Sequence, residues 1–433
     1  MAATEPKWRR PPWLSWAQTA GWAVTDQGIS AGTHFLLNIL LARWLSPADY
    51  GAFAVAYSVF LLTASSHAAL ISEPMLVFGA GKYAPVFRRY LGILLCGHAG
   101  LAVGIAVLLA IAAVVLKAGG TAAVSQAILA LAVASPFLLL FWLLRRAFYV
   151  GLKPQWAAGG GAVYLAFVLA GTFGLRARGW LSPASALILM GLAGLGVSLG
   201  LLALLRPQLA SAGPPPSIRN ALTDSWAYGR WAVGVGVLIW LTNNAYYVVL
   251  SMTASLEEVA TFRALFNLLT PFHHITLALA SIILPVMSRQ FSTAGIPGVR
   301  KLVKYYLSIL APLGLLYALA VGASADLLVE IAYGGKYSTY ARYLWPGLAL
   351  PILWPAVSVL GNSLRAVNLP KQVFGAYLLS SAVVVAVGFP LIAMFRVPGA
   401  FASWSTALVA GLAALAWANR KLAQTADSQT ATS

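Results

Sequence analysis

Apolar runs of about twenty residues recur from one end of this chain to the other. No other feature limits its fold so strongly. A run of that length is what a helix needs to cross the hydrocarbon of a bilayer, where each backbone polar group must be satisfied within the segment. Twelve such runs are read in the 433 residues: 16–42, 50–72, 90–116, 122–144, 155–175, 183–205, 229–250, 256–286, 305–324, 341–364, 372–394 and 398–418. Charged residues make up 9% of the chain, against about 25% in a soluble domain. A single signal peptide cannot account for apolar runs spread over the whole length. The expected fold class is an all-α polytopic membrane protein of about twelve transmembrane helices.

The formal charge of +18 would suggest nucleic acid if composition were all that counted. Position says otherwise, because the basic residues stand singly or in pairs at the ends of apolar runs, where they set topology. With the N-terminus inside, twenty of the 28 fall on the cytoplasmic side and seven outside, leaving Arg263 within a span. Both termini are therefore expected in the cytoplasm, and no nucleic-acid partner is expected. The lone Cys96 excludes a disulfide framework, and no histidine pair with a carboxylate has metal-ligand spacing. Gly79-Ala80-Gly81-Lys82-Tyr83 lacks the earlier glycine and the Ser or Thr of a phosphate loop. No metal or cofactor is expected. Any transport must be driven by an ion gradient, by a partner or by the substrate's own gradient.

The run Gly213-Pro214-Pro215-Pro216-Ser217 lies in the longest polar connection and divides the spans six and six. The expected organisation is a cytoplasmic N-terminal segment 1–15, a six-helix bundle 16–205, a cytoplasmic linker 206–228, a second six-helix bundle 229–418 and a disordered cytoplasmic tail 419–433. An echo at an offset of 209 suggests a parallel repeat. Ser46 with Asp49 and Ser255 with Glu258 both read as capped helix starts, Phe53 matches Phe262, and His34 matches Asn243.

Ionisable residues within spans are costly, so each is a functional candidate. In the first span Asp26, Ser30 and Thr33 share one arc, and Gln27, His34 and Asn38 the adjoining one. This half-polar helix is expected to face a wet cavity, with Asp26 coupling an ion. Alternatively, Asp26 accepts hydrogen bonds from neighbouring helices and holds the first bundle together. In the eighth span Arg263, Asn267, Thr270 and His274 form a second stripe, with Arg263 about 10 Å from the outer end. A guanidinium there suits phosphate or carboxylate; the alternatives are an ion pair with Asp26 or a snorkelling side chain. Pro271 beside His273 and His274 marks a kink. His67 and His98 read as hydrogen-bonded packing residues.

The segment from Asp26-Gln27-Gly28-Ile29-Ser30 through Leu41-Ala42-Arg43-Trp44-Leu45-Ser46-Pro47-Ala48-Asp49-Tyr50-Gly51-Ala52-Phe53-Ala54 resembles the polysaccharide-export and O-antigen-type flippases of the multidrug/oligosaccharidyl-lipid/polysaccharide exporter superfamily. Glu73-Pro74-Met75, Tyr228-Gly229, and Pro285 followed by Ser288-Arg289 are similar to that family too. The specific signature lies in the first 80 residues. The resemblance implies a V-shaped pair of six-helix bundles in a bacterial inner membrane. It implies a secondary transporter that carries an undecaprenyl-diphosphate-linked oligosaccharide to the outer leaflet, for exopolysaccharide or O-antigen biosynthesis. Polymerase or export machinery and membrane lipids would be its partners, and a proton or sodium ion its coupling ion. Arg263, Asn267, Thr270, His274 and Asn243 would line the substrate cavity, with Asp26, Ser30, Thr33, His34 and Asn38 in the coupling region. The chain departs from peptidoglycan-precursor flippases in its sparse basic cavity and in lacking two extra C-terminal spans, so lipid II is not the expected cargo.

Two other functions compete with this one. A cation-coupled drug efflux pump on the same fold would use Asp26, but Arg263 opposes a cationic substrate. A membrane polymerase or ligase would need a large catalytic loop, and the outer loops are short. The expectation is a transporter, not an enzyme.

Overall fold

The computed structural model describes residues 12–207 and 217–431. Most of the expected N-terminal segment, residues 208–216 of the linker and the last two residues of the tail lie outside the described residues. Those described are helical almost throughout. The elements are α1 (Pro12–Trp44), α2 (Pro47–His67) continued through a π-turn into α3 (Glu73–Ala80), α4 (Phe87–Ala118), α5 (Ala122–Val150), α6 (Pro154–Ala177), α7 (Pro183–Leu205), α8 (Ile218–Thr253), α9 (Leu256–Asn267), α10 (Thr270–Ala323), α11 (Ala325–Tyr333), a 3-10 stretch leading into α12 (Leu350–Ala366), α13 (Pro370–Val383) and α14 (Phe389–Ala431).

Among the described residues, nine helical stretches are long and apolar enough to cross a membrane. Two of these are folded back on themselves: α10 breaks at Gly295 (φ 58°) and α14 at Arg396 (φ 55°). Dividing them and adding the more polar α1 gives twelve crossings, six in each half. The helix ends differ from the expected spans. Helix α8 starts at Ile218, where Ser217 accepts a hydrogen bond from the Asn220 N–H, so it begins before the apolar run does. Helix α14 continues to Ala431 through the stretch expected to be a disordered tail.

The repeated helix starts are built alike. Ser46 Oγ accepts from the Asp49 N–H at 3.1 Å, and Ser255 Oγ from the Glu258 N–H at 3.3 Å. These caps satisfy N–H groups that a helix start leaves open. The two starts then cross in direct contact, because a Cβ on Gly51 would lie 1.9 Å from the Leu256 carbonyl oxygen. Phe53 and Phe262 are both buried beneath this crossing, in one apolar core shared by the two halves.

The interface between halves is asymmetric. Helix α2 packs along α8, where the Trp240 indole N–H donates to the Ser58 carbonyl at 2.7 Å. Gly229 fits against Ala69 and Leu70 of the π-turn, its notional Cβ 2.7 Å from the Ala69 carbonyl oxygen. Beyond it, Lys82 and the Tyr83 hydroxyl both donate to Asp224 Oδ2 at 2.6 Å. Burial alone would raise the Asp224 carboxyl, but hydrogen bonds from Lys82 and Tyr83 outweigh it and hold the group below its ordinary range. On the other flank α1 touches α10 over only a few residues. There Trp22 and Val24 of α1 and Ile275, Leu277 and Ile282 of α10 are exposed.

Candidate functional site

Three elements meet at the crossing: α1, α2 and the short α9. The core around Arg263 leaves its side chain 9% exposed. Its Nε donates to Asn38 Oδ1 at 3.0 Å and one terminal nitrogen donates to the Tyr247 hydroxyl at 2.9 Å. The guanidinium lies 5.8 Å from the Tyr57 ring centre and 5.4 Å from that of Tyr247. Tyr50 donates to Asn38 Oδ1 at 3.2 Å and accepts from Asn267 Nδ2 at 3.0 Å. Asn38 is anchored in turn through Nδ2 to the His34 carbonyl. Every one of these partners is neutral. Among the described residues, no carboxylate pairs with Arg263.

A buried ion costs several kcal/mol of lost hydration. Cation–π contact with two tyrosines offsets about 2 kcal/mol of that at a desolvated site. The neutral partners therefore compensate the charge only in part. Phosphate or carboxylate would complete the compensation, through a fork suited to two parallel charge-assisted bonds.

The sequence placed Asp26 as a possible partner for Arg263, and the structure pairs it elsewhere. Arg145 of α5 bonds Asp26 Oδ1 at 2.5 Å, and the Tyr149 hydroxyl donates to Oδ2 at 2.7 Å. Asp26 is 2% exposed and inside the first half, which is the arrangement in which it holds that bundle together. Arg145 also reaches Ser30 Oγ at 3.4 Å. Ser30, Thr33, His34 and Arg145 line a small cavity of about 10 Å³, room for about one water. His34 Nδ1 meets the Tyr57 hydroxyl at 3.0 Å, so Tyr57 links this pocket to Arg263.

Breaking a buried pair by removing one partner costs about 3–5 kcal/mol, whereas replacing both by apolar groups is often neutral. Asp26→Asn is accordingly expected to reduce membrane abundance, and Asp26→Leu with Arg145→Leu to restore it. Protein level per cell, read by immunoblot of membranes, checks this. A well-expressed Asp26→Asn would remove the structural role.

The remaining expected site residues separate. Thr270 donates to the Asn267 carbonyl at 2.6 Å across the junction of α9 and α10, and Asn243 to the Ile239 carbonyl at 2.7 Å within α8. His274 is partly exposed and within electrostatic reach of Arg263. The stripe expected on one helix is bent midway, because a tightened turn at Leu268 and Leu269 joins α9, ending at Asn267, to α10, beginning at Thr270 with Pro271 in its first turn. Leu268 and Leu269 keep right-handed helical backbone angles and bond back to Leu265 and Phe266, so the disturbance at Pro271 is the expected kink, made by a tightened turn. His67 and His98 bond each other at 2.9 Å. Sequence reasoning missed Tyr50, Tyr57, Tyr247, Arg145 and Tyr149. An open groove edged by Asp326, Arg342 and Trp345 lies in the second half alone, and Asp326 already serves the first turn of α11.

No protein-family profile matches the sequence, and no curated protein matches it. Solved structures do. An inward-facing multidrug resistance MATE family transporter of the MOP superfamily superposes with a TM-score of 0.76 at 12% identity, over 93% of this chain and 98% of that one. The lipid II flippase MurJ, in an inward closed conformation, gives 0.75 at 12% identity, over 91% and 86%. A MOP superfamily transporter from Pyrococcus furiosus, described by the reverse polarity of its binding pocket, gives 0.66 at 15% identity, over 93% and 95%. With its two halves of six crossings, this chain has the fold of the MOP superfamily transporters.

Proposed function

We propose that the chain is an alternating-access flippase for a lipid-linked oligosaccharide, with Arg263 gripping the diphosphate of the head group. The observation that carries this reading is the buried guanidinium at the seam between halves, surrounded by neutral acceptors and rings and, among the described residues, paired with no carboxylate. Substrate anion would supply the missing charge, while Tyr57, Tyr247 and Asn267 offer the aromatic and amide surfaces that sugars meet. The parted flank between α1 and α10 leaves a path by which a polyprenyl tail stays in lipid. A cation-coupled drug pump would use an available buried carboxylate, and Asp26 is committed to Arg145 and Tyr149. The setting in this reading is a bacterial inner membrane, with the termini on the cytoplasmic face.

The test is reconstitution. Purified protein in liposomes should move a fluorescent undecaprenyl-diphosphate oligosaccharide between leaflets, and native lipid of that class should co-purify in mass spectra. Transport of cationic drugs with no movement of the polyprenyl substrate would replace this reading with the pump. Topology is checked separately. A cysteine at Ser217, in a Cys96→Ser background, should resist an impermeant maleimide in intact cells and react after permeabilisation.

A further inference from the structure

We propose that Lys336 and Arg43 form a reversible latch across the face opposite the termini, each cation holding the carbonyl end of a helix from the other half. A helix C-terminus exposes unpaired carbonyls and carries partial negative charge. The Lys336 ammonium spends its donors on the end of α1, reaching the carbonyls of Arg43 at 2.9 Å, Leu45 at 2.6 Å and Ala42 at 3.2 Å. Arg43 returns the contact, donating to the Ile331 carbonyl near the end of α11 at 3.1 Å. The exchange is reciprocal between halves.

Local structure aims both groups. Gly334 (φ 65°) and Gly335 (φ 79°) follow α11 in left-handed conformation and double the chain back, delivering Lys336 to α1. Tyr333 and Tyr337 flank this turn, both buried, and the Tyr333 hydroxyl donates to the Ala264 carbonyl one residue past Arg263. The latch is thereby tied to the strand of contacts that holds the candidate anion site. Burial, and after it the charge of Arg176, holds the Lys336 ammonium below its usual range. Opening would return it to water, so its loss of carbonyl partners is compensated. No carboxylate pairs with either cation among the described residues. Cation–carbonyl contacts exchange with water more readily than buried ion pairs, as a gate that cycles requires.

The inference assumes that the halves alternate, and is independent of what they carry. Its test therefore needs no substrate. Full-length protein carrying Cys96→Ser is spin-labelled at Ala118→Cys and Thr339→Cys for the latched face, or at Gln155→Cys and Gln372→Cys for the other, and distances are read in lipid nanodiscs. Lys336→Met should raise the long-distance population on the latched face at least fivefold and shorten distances on the other face. Lys336→Arg should stay close to wild type. Arg43→Gln, which leaves the ammonium in place, should give an intermediate shift and serves if Lys336→Met does not fold. Folded variants with unchanged distances on both faces would overturn the latch. So would widening of the latched face with no change on the other, which marks local fraying.

Discussion

Arg263→Met is expected to abolish transport and yet melt no lower than wild type. The two halves of that result come from the same geometry. A guanidinium without a counter-ion costs several kcal/mol to bury, whereas its bonds to Asn38 and Tyr247 each contribute about 1–3 kcal/mol. Removing the charge relieves about as much as the lost bonds cost, or more. For an anionic substrate the balance is different. Two charge-assisted bonds of about 1.5–3 kcal/mol each correspond to a loss of about 10²–10⁴-fold in affinity. Arg263→Lys keeps the charge without the fork and should retain partial transport. Thermal melting of the purified protein, with liposome flipping normalised to protein, reads both quantities. A marked fall in melting temperature would make Arg263 a structural residue. Undiminished flipping would remove it from the mechanism.

Gly51→Ala should be the most damaging single-methyl change in the chain. The added Cβ would stand 1.9 Å from the Leu256 carbonyl oxygen, 2.7 Å from its carbon and 3.0 Å from its Cα. All three are backbone atoms, so no rotamer change can relieve the clash. Helices α2 and α9 have to separate, at a cost of about 1–3 kcal/mol or more by analogy with overpacked cores. That is enough to lower the folded-to-unfolded ratio about fivefold or more. Gly28 is the matched control, having nothing within 4 Å of a notional Cβ. There alanine should be neutral or stabilise by about 0.5–1 kcal/mol. Melting curves of both variants decide it. A Gly51→Ala protein that melts with wild type would show that α2 and α9 part there without cost.

The crossings were legible because hydropathy over about twenty residues is a property of the chain itself. The capped starts at Ser46 and Ser255 were legible for the same reason, since a cap is local chemistry. Arg145 was not. A run that loses its apolar character at residue 144 makes Arg145 look like one more topology charge, while the helix continues to Val150 and carries it onto Asp26. Pairing across helices is tertiary information, so Asp26 was read without its partner. The tyrosines around Arg263 were missed because an aromatic in a span has the appearance of packing, and only the fold brings Tyr50 and Tyr57 of α2 to Tyr247 of α8. The kink before Thr270 was visible in Pro271, but the tightened turn at Leu268 and Leu269 that makes it was not.

The continuous contact of α2 with α8, fastened beyond the bilayer by Lys82, Tyr83 and Asp224, behaves as the spine of a book. Halves bound along one edge would part along the other, so alternation would open the flank between α1 and α10 first. In the proposed flippase, a tailed cargo would arrive from that one compass direction and leave by it. Its head group therefore enters with a fixed handedness relative to the α1–α9 seam. The tail of such a cargo would stay on that side through the whole cycle, a fixed anchor about which the head group turns as the halves alternate.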